Sequence, residues 1–282
     1  FITHNILLLT MGGFDSKDSE DLMYQAMSLM EKNQPKGAIA LFNKILKQDP
    51  KNTSALYNKG LALNQIKKYS DAITCFYQLL EINPNDAAAF NNKGIAMAEM
   101  GNIQGASECY DLAIKVDPKY GPSYFNKGVL LDRLQDHEEA LNYLNKAITI
   151  EPRKPNAQFY KGIILGKLKK HEEALNCFEN VHKINPSHMD AFFHMGIELA
   201  ELGNHKKAIE IFDQILGKYK DNVNIIYAKS RSKTALGEFP ESLELLKKAV
   251  KLSPKTIRVW AKDEKIFNTL HSNNEFRKLV KL

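Results

Sequence analysis

The clearest structural signal in the sequence lies in residues 53–86, which read TSALYNKGLALNQIKKYSDAITCFYQLLEINPND. Apolar residues keep helical spacing in both halves of this segment. The polar break at 67–70 is short enough to reverse the chain between two helices. Pro84 then ends the second half, because proline does not continue a helix and its predecessor disfavours the helical region. The segment therefore predicts a pair of antiparallel helices.

The same pattern recurs every 34 residues. Three residue types keep this interval independently: Pro50, Pro84, Pro118, Pro152 and Pro186; Gly60, Gly94, Gly128, Gly162 and Gly196; and Ala38, Ala72, Ala106, Ala140, Ala174 and Ala208. A period of this length is typical of a solenoid, in which each hairpin stacks on its neighbours to bury its apolar face. The interval gives seven units: 19–52, 53–86, 87–120, 121–154, 155–188, 189–222 and 223–256.

Small residues are expected where the two helices of each hairpin cross. Gly60 and Ala72 would let the two backbones approach closely, and Phe76 would fill the gap behind them. In the third unit the corresponding residues are Phe90, Gly94, Ala106, Tyr110 and Pro118. This order of a large apolar residue, Gly, Ala, an aromatic and Pro resembles the tetratricopeptide repeat family. The phrases FNNKG at 90–94 and EINP at 81–84 resemble its prokaryotic, particularly archaeal, members.

The resemblance covers residues 19–256. It implies an all-α fold: a right-handed superhelical solenoid of antiparallel helix hairpins, with about seven repeats and a C-terminal cap. Residues 1–18 are expected to form a flexible N-terminal tail. Residues 257–282 are expected to form capping helices, because the pattern changes after Pro254 and the short amphipathic segment at 276–280 replaces a second repeat helix.

Composition bounds the class of protein. The chain has 282 residues, of which 44% are hydrophobic and 26% charged, with a formal net charge of +6. These values are ordinary for a globular protein and exclude collagen-like or disordered classes. Uninterrupted apolar runs such as Ile6–Leu9 are far shorter than the roughly 18 residues of a membrane span. We therefore expect a soluble, cytoplasmic protein with no membrane span.

The resemblance also predicts where a ligand binds. In this family one face of the first helices lines a concave groove, and we call the fifth, sixth and ninth positions of each unit the first-helix face. Peptide-binding members use sixth-position asparagines to hold a peptide backbone, since each amide offers a donor and an acceptor. The equivalent residues here are Asn58, Asn92 and Asn126. Asparagine is also the commonest family residue at that position, so it occurs there without binding as well.

Apolar residues flank this series of asparagines. Rings occupy the fifth position at Tyr57, Phe125, Phe159 and Phe193, and aliphatic side chains occupy the ninth position at Leu61, Ile95, Val129, Ile163 and Ile197. An exposed apolar strip indicates a partner, so the sequence predicts an extended peptide or an amphipathic helix as ligand. Two alternatives stay open: the tail of the chain itself, or a second copy in self-association.

Motifs for catalysis or metal binding are missing from the sequence. It has no CxxC, no HExxH, no nucleophile elbow and no phosphate loop. Cys75, Cys109 and Cys177 share one apolar slot in their units and suit no disulfide framework. The sequence therefore predicts a protein-binding adaptor that is not an enzyme and has no cofactor and no metal.

The distribution of charge indicates a second candidate function. Residues 218–282 hold 15 Lys and Arg against 7 Asp and Glu. A basic end suits nucleic acid or an acidic partner, although these charges fall on several helix faces and few aromatic residues stand between them. Lysines also occupy the seventh position at Lys59, Lys93, Lys127, Lys161 and Lys229, where we expect their stems to lie along apolar surface. Contact with acidic side chains of a ligand is the alternative.

Overall fold

The computed structural model describes residues 16–281, and within this range the secondary structure is helical, with no strand. These residues divide into two compact units, and the division falls between Ile150 and Glu151.

Unit 1 is a stack of helix hairpins. Its helices are α1 Ser16–Glu31, α2 Pro35–Gln48, α3 Thr53–Gln65, α4 Tyr69–Ile82, α5 Ala87–Glu99, α6 Ile103–Val116, α7 Gly121–Arg133 and α8 His137–Ile150. Each odd-numbered helix packs on the even-numbered helix that follows it, and that second helix packs on the first helix of the next hairpin. First helices also contact one another, α3 with α5 and α5 with α7.

Unit 2 repeats this arrangement and then departs from it. Its helices are α9 Pro155–Lys167, α10 His171–Ile184, α11 Met189–Glu201, α12 His205–Lys218, α13 Val223–Ala235, α14 Phe239–Leu252, α15 Pro254–Asp263, a 3₁₀ helix Lys265–Leu270 and α16 Asn274–Val280. The helices from α9 to α14 form three hairpins that stack as in unit 1. The predicted all-α solenoid of antiparallel helix hairpins is confirmed.

The close helix crossing has the cause that the sequence predicts. A Cβ atom on Gly60 would lie 2.6 Å from Cζ of Phe76, and one on Gly162 would lie 2.7 Å from Cε1 of Phe178. Both rings are fully buried. Because no larger residue fits without moving a packed ring, glycine in the first helix and the aromatic in the second form one packing unit.

The turn within each hairpin is closed by one residue with positive φ. This residue is glycine at Gly101, Gly203 and Gly237, and it is Asn33, Lys67, Gln135 and Lys169 in the other turns. The left-handed conformation ends the first helix and satisfies its last carbonyls. At the other end, the side chains of Asn52 and Asp86 accept hydrogen bonds from the third residue beyond them and begin α3 and α5.

The C-terminal segment covers the last hairpin with a different geometry. Phe267 and Phe276 are fully buried, and the 3₁₀ helix packs on α13 while α15 and α16 pack on α14. However, α15 begins at Pro254, directly after Ser253, and not at the repeat boundary of residue 257. Val259 and Trp260 are consequently 57% and 43% exposed.

The N-terminal boundary also differs from the expected one. The helix α1 begins at Ser16, so it includes the last three residues of the expected tail, 1–18. The remainder of that segment lies outside the described residues.

Candidate functional site

The asparagines of the first-helix face lie in unit 1, on α3, α5 and α7, and their amide groups are partly used within the protein. Nδ2 of Asn58 donates to the Ser54 carbonyl at 2.9 Å. Nδ2 of Asn92 donates both to the Ala88 carbonyl at 2.8 Å and to Tyr57 Oη at 3.2 Å.

Asn126 takes part in a buried connection between α5 and α7. Its Nδ2 donates to Oδ1 of Asn91 at 2.9 Å, and the Ser123 hydroxyl donates to the same oxygen at 3.3 Å. Asn91 is only 3% exposed, in a position where other units carry a ring. Nothing in the sequence predicts this role, because Asn91 only interrupts the series of rings.

The acceptor atoms of the three asparagines stay open. Within residues 16–281, no hydrogen bond is made to Oδ1 of Asn58, Asn92 or Asn126. Each of these side chains is half-buried. Since an amide oxygen has two lone pairs, the face offers acceptors to a ligand more readily than donors.

Tyr57 is held on both sides. Its ring meets the ring of Phe76 edge-on, with centroids 6.1 Å apart, and its hydroxyl accepts the bond from Asn92. Burial raises the pKa of Tyr57, and the carboxylate of Asp86 raises it further. The phenol is therefore neutral, and its hydroxyl proton is available to an acceptor.

The predicted aliphatic residues are half-buried in both units. In unit 1, Ile95 and Val129 line a small cavity of about 80 Å³ together with Asn126. Glu99 and Arg133, whose charged groups are 3.5 Å apart, stand at the same cavity. Its volume suits a single small group and not a chain segment. Leu61 packs against the buried cluster around Phe76, and Phe125 is half-buried on α7.

At the sixth position of the repeat, unit 2 carries the ring of His194 where three repeats of unit 1 carry an asparagine amide. His194 occupies the sixth position of its repeat, and its ring stacks on Phe178 with centroids 5.1 Å apart and planes 19° apart. Phe159 and Phe193 approach the same imidazole at 5.8 and 5.6 Å. Burial lowers the pKa of His194, so the imidazole is neutral at neutral pH.

The other predicted residues of unit 2 belong to this ring cluster or border it. Phe159 also packs on Phe178 at 5.7 Å, and Phe193 packs on Phe212 at 6.0 Å. Ile163 lies on α9, and Ile197 lies on α11 against the cluster of Phe212. The structure thus gathers the predicted residues into two sets, one in each unit.

The seventh-position lysines reach the second helix of the preceding hairpin. Lys127 pairs with Asp111 and lies over the Tyr143 ring, and Lys229 pairs with Asp213. Lys93 lies 5.6 Å above the Tyr77 ring. For these three lysines the ammonium groups therefore serve contacts within the protein.

A largely buried hydrogen bond between Glu198 and His171 in unit 2 was not predicted from the sequence. The carboxylate of Glu198, 5% exposed, lies 2.7 Å from Nδ1 of His171 and joins α11 to α10. Burial raises the pKa of Glu198, while the bond to His171 opposes that shift. The tenth position of the repeat holds Ala, Leu or Ile in the second to fifth repeats, and it holds Glu198 in the sixth. This departure from an apolar residue is the feature of the sequence that could have revealed the contact.

Carboxylates pair with several basic residues of the C-terminal region. Lys248 lies 2.9 Å from Asp221, and Arg231 lies 3.0 Å from Glu201 and 2.8 Å from Glu264. Lys247 pairs with Glu244 and Glu275, which raise its pKa to about 12. Most acidic residues of this region form an ion pair with one of its basic residues.

No group of three or more His, Cys, Asp or Glu side chains in residues 18–281 is arranged to hold a metal ion. Over the described part of the chain, none of the helices combines the length and the apolar character that a membrane crossing requires.

Comparison with family models identifies the repeats. The model described as "Psidin, N-terminal TPR repeats region" matches residues 23–124 and 130–261, which together make up more than half of the chain. A model of the single tetratricopeptide repeat matches residues 109–142. The chain belongs to the tetratricopeptide repeat family. This membership implies a scaffold for protein–protein interaction, and proteins of the family are generally non-enzymatic.

Solved structures agree on the fold. PilW, a widely conserved type IV pilus biogenesis factor, superposes with a TM-score of 0.65 at 22% identity, over 73% of this chain and 96% of its own. The pilF protein of Pseudomonas aeruginosa gives 0.64 at 20% identity, over 72% and 92%. A tetratricopeptide repeat protein of Parabacteroides merdae gives 0.59 at 16% identity, over 95% and 100%. No curated protein sequence matches the chain. At these identities the likeness shows the fold alone.

Proposed function

We propose that this chain is a non-catalytic adaptor that binds an extended peptide along the first-helix face of unit 1. The supporting observation is the set of open acceptors, Oδ1 of Asn58, Asn92 and Asn126, on three successive first helices. An extended peptide presents unpaired backbone N–H groups, whereas the N–H groups of a helix are already used within it. Open acceptors at regular intervals therefore favour an extended ligand over a helical one.

Rings and aliphatic side chains provide the apolar part of this proposal. Tyr57 and Phe125 of unit 1 would contact ligand side chains. Leu61, Ile95 and Val129 would form the floor beneath them. Each of these residues is half-buried, so each presents some surface while it packs against the second helices.

Selection from a random peptide library displayed on phage tests the proposal. A selected peptide would be measured by fluorescence anisotropy against the wild type and the variant Asn58→Ala/Asn92→Ala/Asn126→Ala. We expect the dissociation constant to rise about tenfold or more, because three hydrogen bonds are lost.

A matched variant separates the site from a general effect. Asn142, Asn145 and Asn176 are exposed residues of the second helices α8 and α10, and their replacement by alanine should leave the affinity unchanged. Circular dichroism would verify that both variants fold. An unchanged affinity in the first variant, or an equal loss in both, would contradict the proposal.

A further inference from the structure

A depression lies at the point where α3 and α5 begin in unit 1. Its volume is about 360 Å³, and Tyr57, Asn58 and Asp86 line it, with Leu79 as its floor. Asp86 is the one charged side chain among its lining residues. The depression adjoins the proposed peptide path through Tyr57 and Asn58.

The carboxylate of Asp86 is fixed but has no cationic partner. Its Oδ1 accepts the backbone N–H of Ala89 at 2.8 Å and so caps α5. In the part of the chain that the structure describes, none of the ion pairs involves Asp86. The start of a helix carries about half a positive charge, which is smaller than the full negative charge of the carboxylate.

Neighbouring lysines leave this carboxylate unpaired. On α5, Lys93 is directed to Tyr77 of α4, and on α7, Lys127 is directed to Asp111 of α6. These two lysines therefore contribute to the contacts between helices and not to the depression.

The remaining walls suit an aliphatic stem. Tyr57 presents its ring, which Phe76 and Asn92 hold in place, and Leu79 is only 1% exposed beneath it. Lysine and arginine combine an apolar stem with a terminal positive charge, and they favour contact with an aromatic face.

We propose that the depression formed by Tyr57, Asn58, Leu79 and Asp86 binds a lysine or arginine side chain of the ligand peptide. This inference rests on the proposed function, since it names a residue class that the peptide carries. The cation would pair with Asp86, its stem would lie along Tyr57, and the adjacent backbone would bond to Asn58.

Unit 2 repeats part of this chemistry. Asp190 is exposed in the first turn of α11, one turn before His194, and Phe159 and Phe193 flank that imidazole. Ion pairs between described residues do not include Asp190 either. Acidic groups at or near the start of a first helix thus occur beside rings of the first-helix face in both units, although the chain as a whole is positively charged.

Nuclear magnetic resonance with single amino-acid derivatives tests the site without a known ligand. Isotope-labelled protein would be titrated with N-acetyl-arginine-methylamide and with N-acetyl-citrulline-methylamide, which has nearly the same shape but no charge. We expect saturable shifts of the backbone amides of Tyr57, Asn58 and Ala89 with the arginine derivative. The citrulline derivative should bind about fivefold more weakly or worse.

Asp86→Asn provides the specific variant, because asparagine keeps the helix cap and removes only the charge. Its affinity for the arginine derivative should fall to that of the citrulline derivative. Asp71→Asn, an exposed carboxylate on α4, is the matched control and should change nothing. Equal binding of both derivatives, unchanged binding by Asp86→Asn, or preferential binding of N-acetyl-glutamate-methylamide would overturn the inference.

The displayed library separates the two proposals. Peptides selected on the wild type should contain Lys or Arg at one fixed position about threefold more often than those selected on Asp86→Asn. If peptides are selected but show no such preference, the inference fails and the proposed function stands. If none are selected while the arginine derivative still binds at Asp86, the proposed function fails and the cation site stands.

Discussion

Units 1 and 2 use the same repeat positions for different contacts. In unit 1, hydrogen bonds join neighbouring first helices, from Asn92 to Tyr57 and from Asn126 to Asn91. In unit 2, the ring of His194 stacks among phenylalanines instead. Glycine packs on a ring in both units, as Gly60 does on Phe76 and Gly162 on Phe178, while Gly128 packs on Leu144. The fold therefore depends on a glycine against a large apolar side chain, while the fifth and sixth positions vary with the surface that each unit presents.

The largest expected effect comes from the buried phenylalanines. Phe178→Ala should lower the free energy of unfolding by about 4 kcal/mol, because it leaves a cavity in the core of unit 2. Phe76→Ala should cost about 1 kcal/mol less, since Phe178 contacts two rings, Phe159 and His194, and Phe76 contacts one. Urea unfolding followed by circular dichroism measures both losses.

A control within unit 2 sharpens this result. Phe212 is equally buried but has the single ring partner Phe193. Phe212→Ala should therefore resemble Phe76→Ala. Equal losses for all three variants would show that ring stacking adds nothing to unit 2.

A smaller effect is expected from the buried amide of unit 1. Asn91→Ala should lower the free energy of unfolding by about 2 kcal/mol, because the fully buried Ser123 hydroxyl loses its acceptor and Asn126 loses its partner. Asn58→Ala is the control, since Asn58 bonds only to its own helix and should cost little. If the two variants lose the same free energy, hydrogen bonds between repeats do not stabilise unit 1.

The histidine of unit 2 should make stability depend on pH. Burial lowers the pKa of His194 below its ordinary 6.5 in the folded chain, so protonation favours the unfolded chain. The contribution of neutral His194 to the free energy of unfolding is complete above pH 6.5 and is lost as the pH falls through the pKa of the folded chain. The free energy of unfolding should therefore decline more steeply below pH 6.5 in the wild type than in His194→Asn, which introduces the unit 1 residue. Parallel pH profiles of the two proteins would contradict this account. Burial also lowers the pKa of His205, but this residue is present in both proteins and so does not cause a difference between them.

The smallest effect concerns the turns, in which the two units are alike. Lys67 in unit 1 and Lys169 in unit 2 both have φ near +60°. Replacement of either by glycine should raise the free energy of unfolding by about 0.5 kcal/mol, because relief of the left-handed strain outweighs the added freedom of the unfolded chain. Thermal unfolding of both variants measures this. A gain in only one unit would mean that the units differ beyond the first-helix face.

The sequence predicted the repeat well because its signal is steric. The contact between Gly60 and Phe76 can be predicted from their spacing alone, because two helical residues that are sixteen positions apart touch when the chain reverses between them in a hairpin. Pro84 likewise marks the end of α4 at Ile82. These features depend on one residue type at one position, and the structure confirms them.

The contacts of the site were harder to predict, because a side chain's partner depends on the neighbouring repeat. That Asn92 donates its Nδ2 to Tyr57 and leaves its Oδ1 open is decided by a rotamer and not by composition. Asn91 interrupts the series of rings in the sequence, and in the structure it is a buried hydrogen-bond acceptor. The start of α15 was also missed, because Pro254 suits a first helical position as well as a helix stop.

The most direct test of the central claim is to map a selected peptide on the protein by chemical-shift perturbation. The account predicts that backbone amides of α3, α5 and α7 shift, with the largest changes around Asn58, Asn92 and Asn126, while the exposed residues of α4, α6 and α8 stay unchanged. Shifts concentrated on these second helices, or on the basic segment after residue 218, would contradict the assignment of the first-helix face as the binding surface.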